Sequence, residues 1–300
     1  MIPQGVIEEI DKILKEFLWN QDISSKGKAK VAWKQVCYPK DQGGLGLRPL
    51  KEWNAISLVK EVWRILAKKE SLWGKWVNVV KLNGRDFWSI QPCYHDSWGW
   101  KILLNFREKI KPHIVTDFRD GREELRWLTN EGKKVHFSTH QVWKDLRSNK
   151  PKVVWHHIVW FKFFEPKHAF ILWLAILNRL STQDRMQMSI WVGMKRKMIF
   201  KGLPNQLNGI VECLAKYPYS NKIWCTVNRI MLAACVYFVW NERNCRLFRN
   251  QKRSADVLCT AIEGFIQMKL LTLKVKDSDH TRMVARVWSL DWNNDHFHLK

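Results

Sequence analysis

Residues 166–185, PKHAFILWLAILNRLSTQDR, decide how this chain is read. Ala169 to Leu177 is an unbroken run of nine apolar residues that includes Phe170, Trp173 and Leu174. Crossing a bilayer takes ~20, so the run predicts a helix buried in protein. Pro166 suits the first turn of that helix, because its ring presets φ and the missing N–H would have no partner there. After Leu180 the text turns polar at once, through Ser181, Thr182, Gln183, Asp184 and Arg185.

Working outward, helical spacing recurs in long segments. Val6, Ile10, Ile13, Leu14, Phe17 and Leu18 share one face of a first helix. Trp53 to Lys69 predicts a second, and Trp224 to Phe248 a long, largely apolar third. Ser254 is placed to cap a last long helix carrying Leu258, Ala261, Ile262, Phe265 and Ile266. Residues 31–39 are expected as a short strand or turn, and Gly43, Gly44 and Gly46 as a tight bend. Residues 22–30 read as a basic loop, 71–107 as short helices, 109–124 as a polar linker and 186–222 as irregular. Val135 and Phe137 suggest a short strand leading into a helix over 139–147. The expected fold is mainly α: an irregular helical assembly with a few short strands and a Trp-rich core.

Composition narrows the class. With 300 residues, 46% of them hydrophobic, the chain can bury a sizeable core. Lys and Arg number 51 against 28 Asp and Glu, a formal charge of +23 that favours a polyanionic partner. Nineteen tryptophans are expected mostly as core anchors. The seven cysteines are scattered, odd in number and never spaced C-x-x-C, which argues for a reducing, intracellular setting, nuclear or cytoplasmic. No secretory pattern opens the chain, and the longest apolar run, Ile230 to Trp240, is expected to be too short for a membrane.

A search for local chemistry finds none. There is no Asp-Asp dipeptide, P-loop, G-x-S-x-G or H-E-x-x-H. Glu8-Glu9 and Glu123-Glu124 are sequence neighbours that would diverge on a helix. His136 with His140, and His156 with His157, lack companion ligands nearby in sequence. The expectation is therefore that the chain is not an enzyme. Basic clusters remain: Lys26, Lys28, Lys30 and Lys34; then Lys195, Arg196, Lys197 and Lys201; then Arg243, Arg246, Arg249, Lys252 and Arg253. Such groups neutralise phosphates without reading bases.

Several ordered segments carry a resemblance. Phe17-Leu18-Trp19, Lys30-Val31-Ala32-Trp33, Gly43-Gly44-Leu45-Gly46-Leu47, Trp63-Arg64 and Leu72-Trp73 come first. Trp155 through Trp160, Pro166-Lys167, Trp173, Arg179-Leu180 and Asp184-Arg185 follow, then Trp240-Asn241-Glu242-Arg243-Asn244 with Arg246. Together they resemble the C-terminal region of plant non-LTR (LINE-type) retrotransposon reverse transcriptases, including their zinc-binding domain.

That resemblance implies a helical post-polymerase region over 1–115, a degenerate zinc-binding domain over 125–250 and a C-terminal helix and tail over 251–300. It implies zinc on a C-x-x-C, a His and a Cys after the Asp-Arg pair. Here residues 186–212 hold neither Cys nor His, so no zinc and no other cofactor is expected. Polymerase, endonuclease and ribonuclease H modules are expected to lie outside this sequence. The expected function is that of a truncated, inactive retroelement remnant with general affinity for RNA or single-stranded DNA. Its phosphate contacts would be Lys167, Arg179, Arg185, Lys195, Arg196, Lys197, Arg243 and Arg246. The alternatives are a protein–protein interaction module and an accessory subunit of a reverse transcriptase complex.

Overall fold

The computed structural model describes residues 1–19, 29–67, 72–119, 122–180, 185–197, 202–216 and 222–292, without the side chains of 119, 122 and 185–188. Much of the basic loop expected over 22–30 therefore lies outside the described residues, as do Lys201 and residues 181–184. In chain order come α1 (Gln4–Trp19), α2 (Trp33–Val36), α3 (Leu50–Leu66), α4 (Leu72–Trp76) and α5 (Trp98–Ile110). An antiparallel sheet follows, β1 (Ile114–Arg119), β2 (Arg122–Leu128) and β3 (Lys134–Val135), in that spatial order. Then come α6 (Thr139–Leu146), α7 (His156–Val159), α8 (Pro166–Ile176), α9 (Arg185–Lys195) and α10 (Leu207–Lys216). The chain closes with α11 (Ile223–Arg249), α12 (Ala255–Leu271) and α13 (Asp279–Trp288). The fold is mainly α, as the periodicity predicts.

Two compact units divide the chain: residues 1–29 with 46–151, and residues 30–45 with 152–300. In the first, α3 turns Val59, Val62 and Trp63 inward. Trp63 stacks on Phe137 at 4.6 Å. Trp127 is fully buried, lies parallel to His113 at 4.9 Å, and donates its indole N–H to Asp145 at 2.7 Å. The segment 109–124 is not the expected linker: β1 and β2 form a ladder from Ile114↔Trp127 to Arg119↔Arg122. Ile114, Leu125 and Trp127 feed the core between the charged residues that make the text look polar.

In the second unit, α11 packs against α8, α9, α12 and α13. By length and composition α11 could cross a bilayer, which corrects the expectation drawn from Ile230 to Trp240 alone. Its most apolar window is 72% buried inside the protein, the position of a core helix. On α12, Leu258, Ile262, Ile266 and Leu270 form a fully buried stripe, and Ser254 caps the helix by accepting from the Val257 N–H. Of the strand or turn expected over 31–39, residues 33–36 take a helical turn. The span 186–222, expected as irregular, is corrected: it contains α9 and α10. Each of those two helices buries one apolar face, Ile190 with Met194 and Ile210 with Leu214, which a polar average conceals.

Helix α8 behaves as its sequence predicts. Ile171, Leu172, Trp173 and Leu174 are buried and Pro166 occupies the first turn. Asn178 ends it in the left-handed conformation (φ 56°). The Arg179 N–H then bonds to the Leu174 carbonyl and the Asn178 N–H to Ala175, the two bonds of a Schellman cap. Trp173 is completely buried and donates its indole N–H to the Gly43 carbonyl at 3.0 Å. The receiving turn needs glycine: Gly43 has φ +87°, and a Cβ on Gly44 would lie 2.0 Å from the Tyr38 carbonyl oxygen. Replacing Trp173 by Ala should cost about 3–5 kcal/mol. Trp173→Phe should cost less, and Gly44→Ala should destabilise by forcing the turn open. Denaturant midpoints of the three variants check this ordering.

Candidate nucleic-acid interface

After α12 the backbone runs extended, burying Leu273 and Val275 and leaving Lys274 and Lys276 outside. These two lysines face a cleft of about 670 Å³ within the second unit. Lys162, Lys222, Arg229 and His280 join them on its walls, and no carboxylate among the described residues lines it. Phe161 and Phe163 supply apolar wall.

Two helices start at this cleft. Lys222, Ile223 and Thr226 bring the N-terminal turn of α11, and Ser278 and Thr281 bring that of α13. The positive end of a helix dipole favours an anion. Thr281 holds the rim by donating to the Lys276 carbonyl at 2.8 Å. Nearby Asp277 is engaged by both nitrogens of a bidentate Arg282 pair, 2.7 and 3.0 Å, and that hydrogen bonding holds its carboxyl below the usual range. Arg229 is buried at the base. Burial lowers the pKa of neighbouring His157, and the Arg229 charge lowers it further.

The residues singled out from sequence are dispersed. Lys167 is exposed at the start of α8, its ammonium 5.5 Å from the Tyr237 ring centre. Arg179 is exposed just past the α8 cap, and Arg196 is exposed after α9. Arg185 begins α9, but its side chain lies outside the described residues. Lys195 donates to the Leu203 carbonyl and to Asn205, and Lys197 pairs with Glu263 at 2.8 Å. Arg243 is half-buried on α11. Arg246 donates to Glu242 at 2.8 Å and to the Arg253 carbonyl at 3.0 Å. The cleft cations were missed because four separate segments contribute them. The one local signal is the two-residue alternation of Leu273-Lys274-Val275-Lys276, basic on one face and apolar on the other.

No three His, Cys, Asp or Glu side chains among the described residues are grouped to hold a metal. Residues 137–203 contain four histidines and no cysteine. His156 bonds the Val153 carbonyl at 2.9 Å, and His168 is buried against Tyr237 (4.2 Å) and Phe265 (4.4 Å). Burial, with the Lys167 charge next, lowers the His168 pKa to about 4, so it sits neutral as an aromatic packing group. The described residues do not fit a zinc ion.

Residues 137–203 match the family described as zinc-binding in reverse transcriptase. The chain is related to retrotransposon reverse transcriptases. A protein of Arabidopsis thaliana named "Putative ribonuclease H protein" is 38% identical over 143 residues, 46% of this chain and 21% of that protein. An uncharacterized mitochondrial protein of the same plant is 24% identical over 122 residues, 40% of this chain and 79% of that protein. The matched part thus spans about a fifth of the first relative. No solved structure matches the chain significantly.

These relationships correct the expectation that the chain is not an enzyme: both names belong to enzyme families. A motif search reads only short spacings, whereas catalytic groups are assembled by folding from distant positions.

The Glu242 of the Trp-Asn-Glu-Arg-Asn motif has a structural task. It is 1% exposed and accepts from Arg246 Nε (2.8 Å), Arg253 Nε (2.7 Å) and the Arg253 N–H (2.8 Å). Burial pushes its carboxyl up, but these donors override it and hold the pKa at about 2, against an ordinary 4.5. The depressed value makes its stabilisation complete above about pH 4.5 and lost as pH falls toward 2. Glu242→Gln should cost roughly 2–3 kcal/mol at neutral pH. It should also flatten the acid limb of a melting-temperature profile measured between pH 2 and 5.

Proposed function

We propose that the second unit binds nucleic-acid backbone, with phosphates seated in the cleft at the start of α11. The observation that carries this reading is the convergence of Lys162, Lys222, Arg229, Lys274, Lys276 and His280 on one concavity that no carboxylate among the described residues lines. Phosphate neutralisation by such a surface is indifferent to sequence and strongly salt-dependent. Kinship with reverse transcriptases and the +23 charge support the same partner, RNA or single-stranded DNA. Exposed Lys167, Arg179 and Arg196, together with Arg243, lie outside the cleft lining and would be separate phosphate contacts. In this reading the chain is the nucleic-acid-holding part of a retroelement-derived polypeptide.

A salt titration tests it. The wild-type chain should bind single-stranded RNA with log K falling linearly in log salt. Lys274→Ala with Lys276→Ala should reduce the slope by ~1.4 and the affinity roughly 10- to 100-fold near 0.15 M salt. Unchanged binding in the double variant would remove the cleft from the interface.

The same reading holds that the second unit folds without structural zinc, its cohesion coming from the α8, α11 and α12 core. Elemental analysis of purified protein should find well under one zinc per chain, and a chelator should leave the thermal melt where it was. A stoichiometric metal, or a melt lowered by chelator, would overturn this.

A further inference from the structure

Tyr94 is out of place by the ordinary rules of burial. Its side chain is 89% exposed, on a segment that hydrogen bonds hold in one shape. Asp96 staples that segment, accepting the Cys93 N–H and the Lys81 ammonium, each at 2.8 Å. Its own N–H returns to the Cys93 carbonyl at 3.1 Å. Lys101, from the first turns of α5, donates to the Tyr94 carbonyl at 2.7 Å and holds its ammonium 5.5 Å from the Tyr94 ring centre. Ser97 caps α5 by accepting from the Trp100 N–H. The backbone under the ring is ordered from several sides while the ring itself gains little burial.

We propose that Tyr94 is a stacking platform for an unpaired nucleobase. Every base has a π face, so a fixed exposed aromatic takes any of them, and ordering the loop beforehand removes that entropy from binding. The flanking charge suits the partner. Lys101 lies over the ring, within reach of the adjoining phosphate, and Lys81 neutralises Asp96. The groups against the ring include the Lys101 ammonium and the His95 imidazole, a setting that suits a nucleotide.

This inference rests on the nucleic-acid reading above and adds the form of nucleic acid recognised, single-stranded rather than duplex. The test is photocrosslinking of the full chain to a short single-stranded RNA carrying 5-iodouridine, with the adduct mapped by mass spectrometry. Affinities for the same RNA and for a duplex are measured alongside. An adduct on Tyr94 is expected. Tyr94→Ala should weaken single-strand binding roughly 5- to 100-fold, leave duplex binding unchanged, and melt like wild type, while Tyr94→Trp restores affinity. If Tyr94→Ala binds single strands normally while the Lys274/Lys276 variant does not, the platform fails and the backbone reading stands. Adducts confined to other segments would also overturn the platform. A wild-type chain that binds neither form overturns both.

Discussion

A fully buried indole must place its N–H on an acceptor inside the protein, and Trp173 finds one 130 residues away in sequence, on the Gly43 carbonyl. The acceptor is reachable because Gly43 adopts a left-handed conformation and Gly44 lets the backbone fold onto Tyr38 without a Cβ in the way. Much follows from this one bond. It ties residues 30–45 to α8, so the chain enters the second unit early, returns to the first over 46–151, and re-enters at 152. It also fixes the buried face of α8, which lies against α11, the helix on which α9, α12 and α13 assemble. The cleft at the start of α11 owes its position to that helix.

The basic surplus is only partly a surface. Arg107 and Arg126 are buried, and Arg246 and Arg253 converge on Glu242. Other cations lie over rings: Lys40 over Trp160 and Phe164, Arg147 over Trp143 at 4.0 Å, and Lys111 over Trp88. In this chain the excess of lysine and arginine and the excess of tryptophan are partly one design, with cations and aromatic faces satisfying each other. Counting charges along the sequence therefore overstates some clusters and misses others. Lys195 and Lys197 look like a basic run yet are bonded to Asn205 and Glu263. Lys162, Lys222, Lys274 and Lys276 look isolated yet meet.

What could be read beforehand follows from the range of the interactions. α3, α11 and α12 were legible because their apolar residues recur at 3.6, and Ser254 because a cap acts over three residues. The β1–β2 ladder was misread as a linker because its segment, 114–128, is rich in charged residues. Charged residues on β2 hid the alternation that buries Leu125 and Trp127. α13 was overlooked altogether. Its apolar residues Val284 and Trp288 are few, and its start is set by the Ser278 cap rather than by a hydrophobic run. The cleft was illegible for a different reason: no local rule brings Lys162, Lys222 and Lys274 together.

A structural metal matters most to a domain that cannot otherwise bury enough apolar surface. The second unit has other means. Leu172, Trp173, Met231, Ala234, Ile262 and Ile266 are each fully buried or nearly so, and they come from the three central helices. α8 is closed at its end by a hydrogen-bonded cap and anchored by the Trp173 indole. With such a core, losing a zinc cross-link would remove a local constraint on the segment after Asp184-Arg185 rather than the reason the unit folds. His168 makes the point at one residue. An imidazole poised to ligate needs an accessible lone pair and a companion ligand, whereas this one lies between Tyr237 and Phe265 and is kept neutral by its burial. There the ring contributes to stability as a flat hydrophobic surface, the use that a packed helical core has for it.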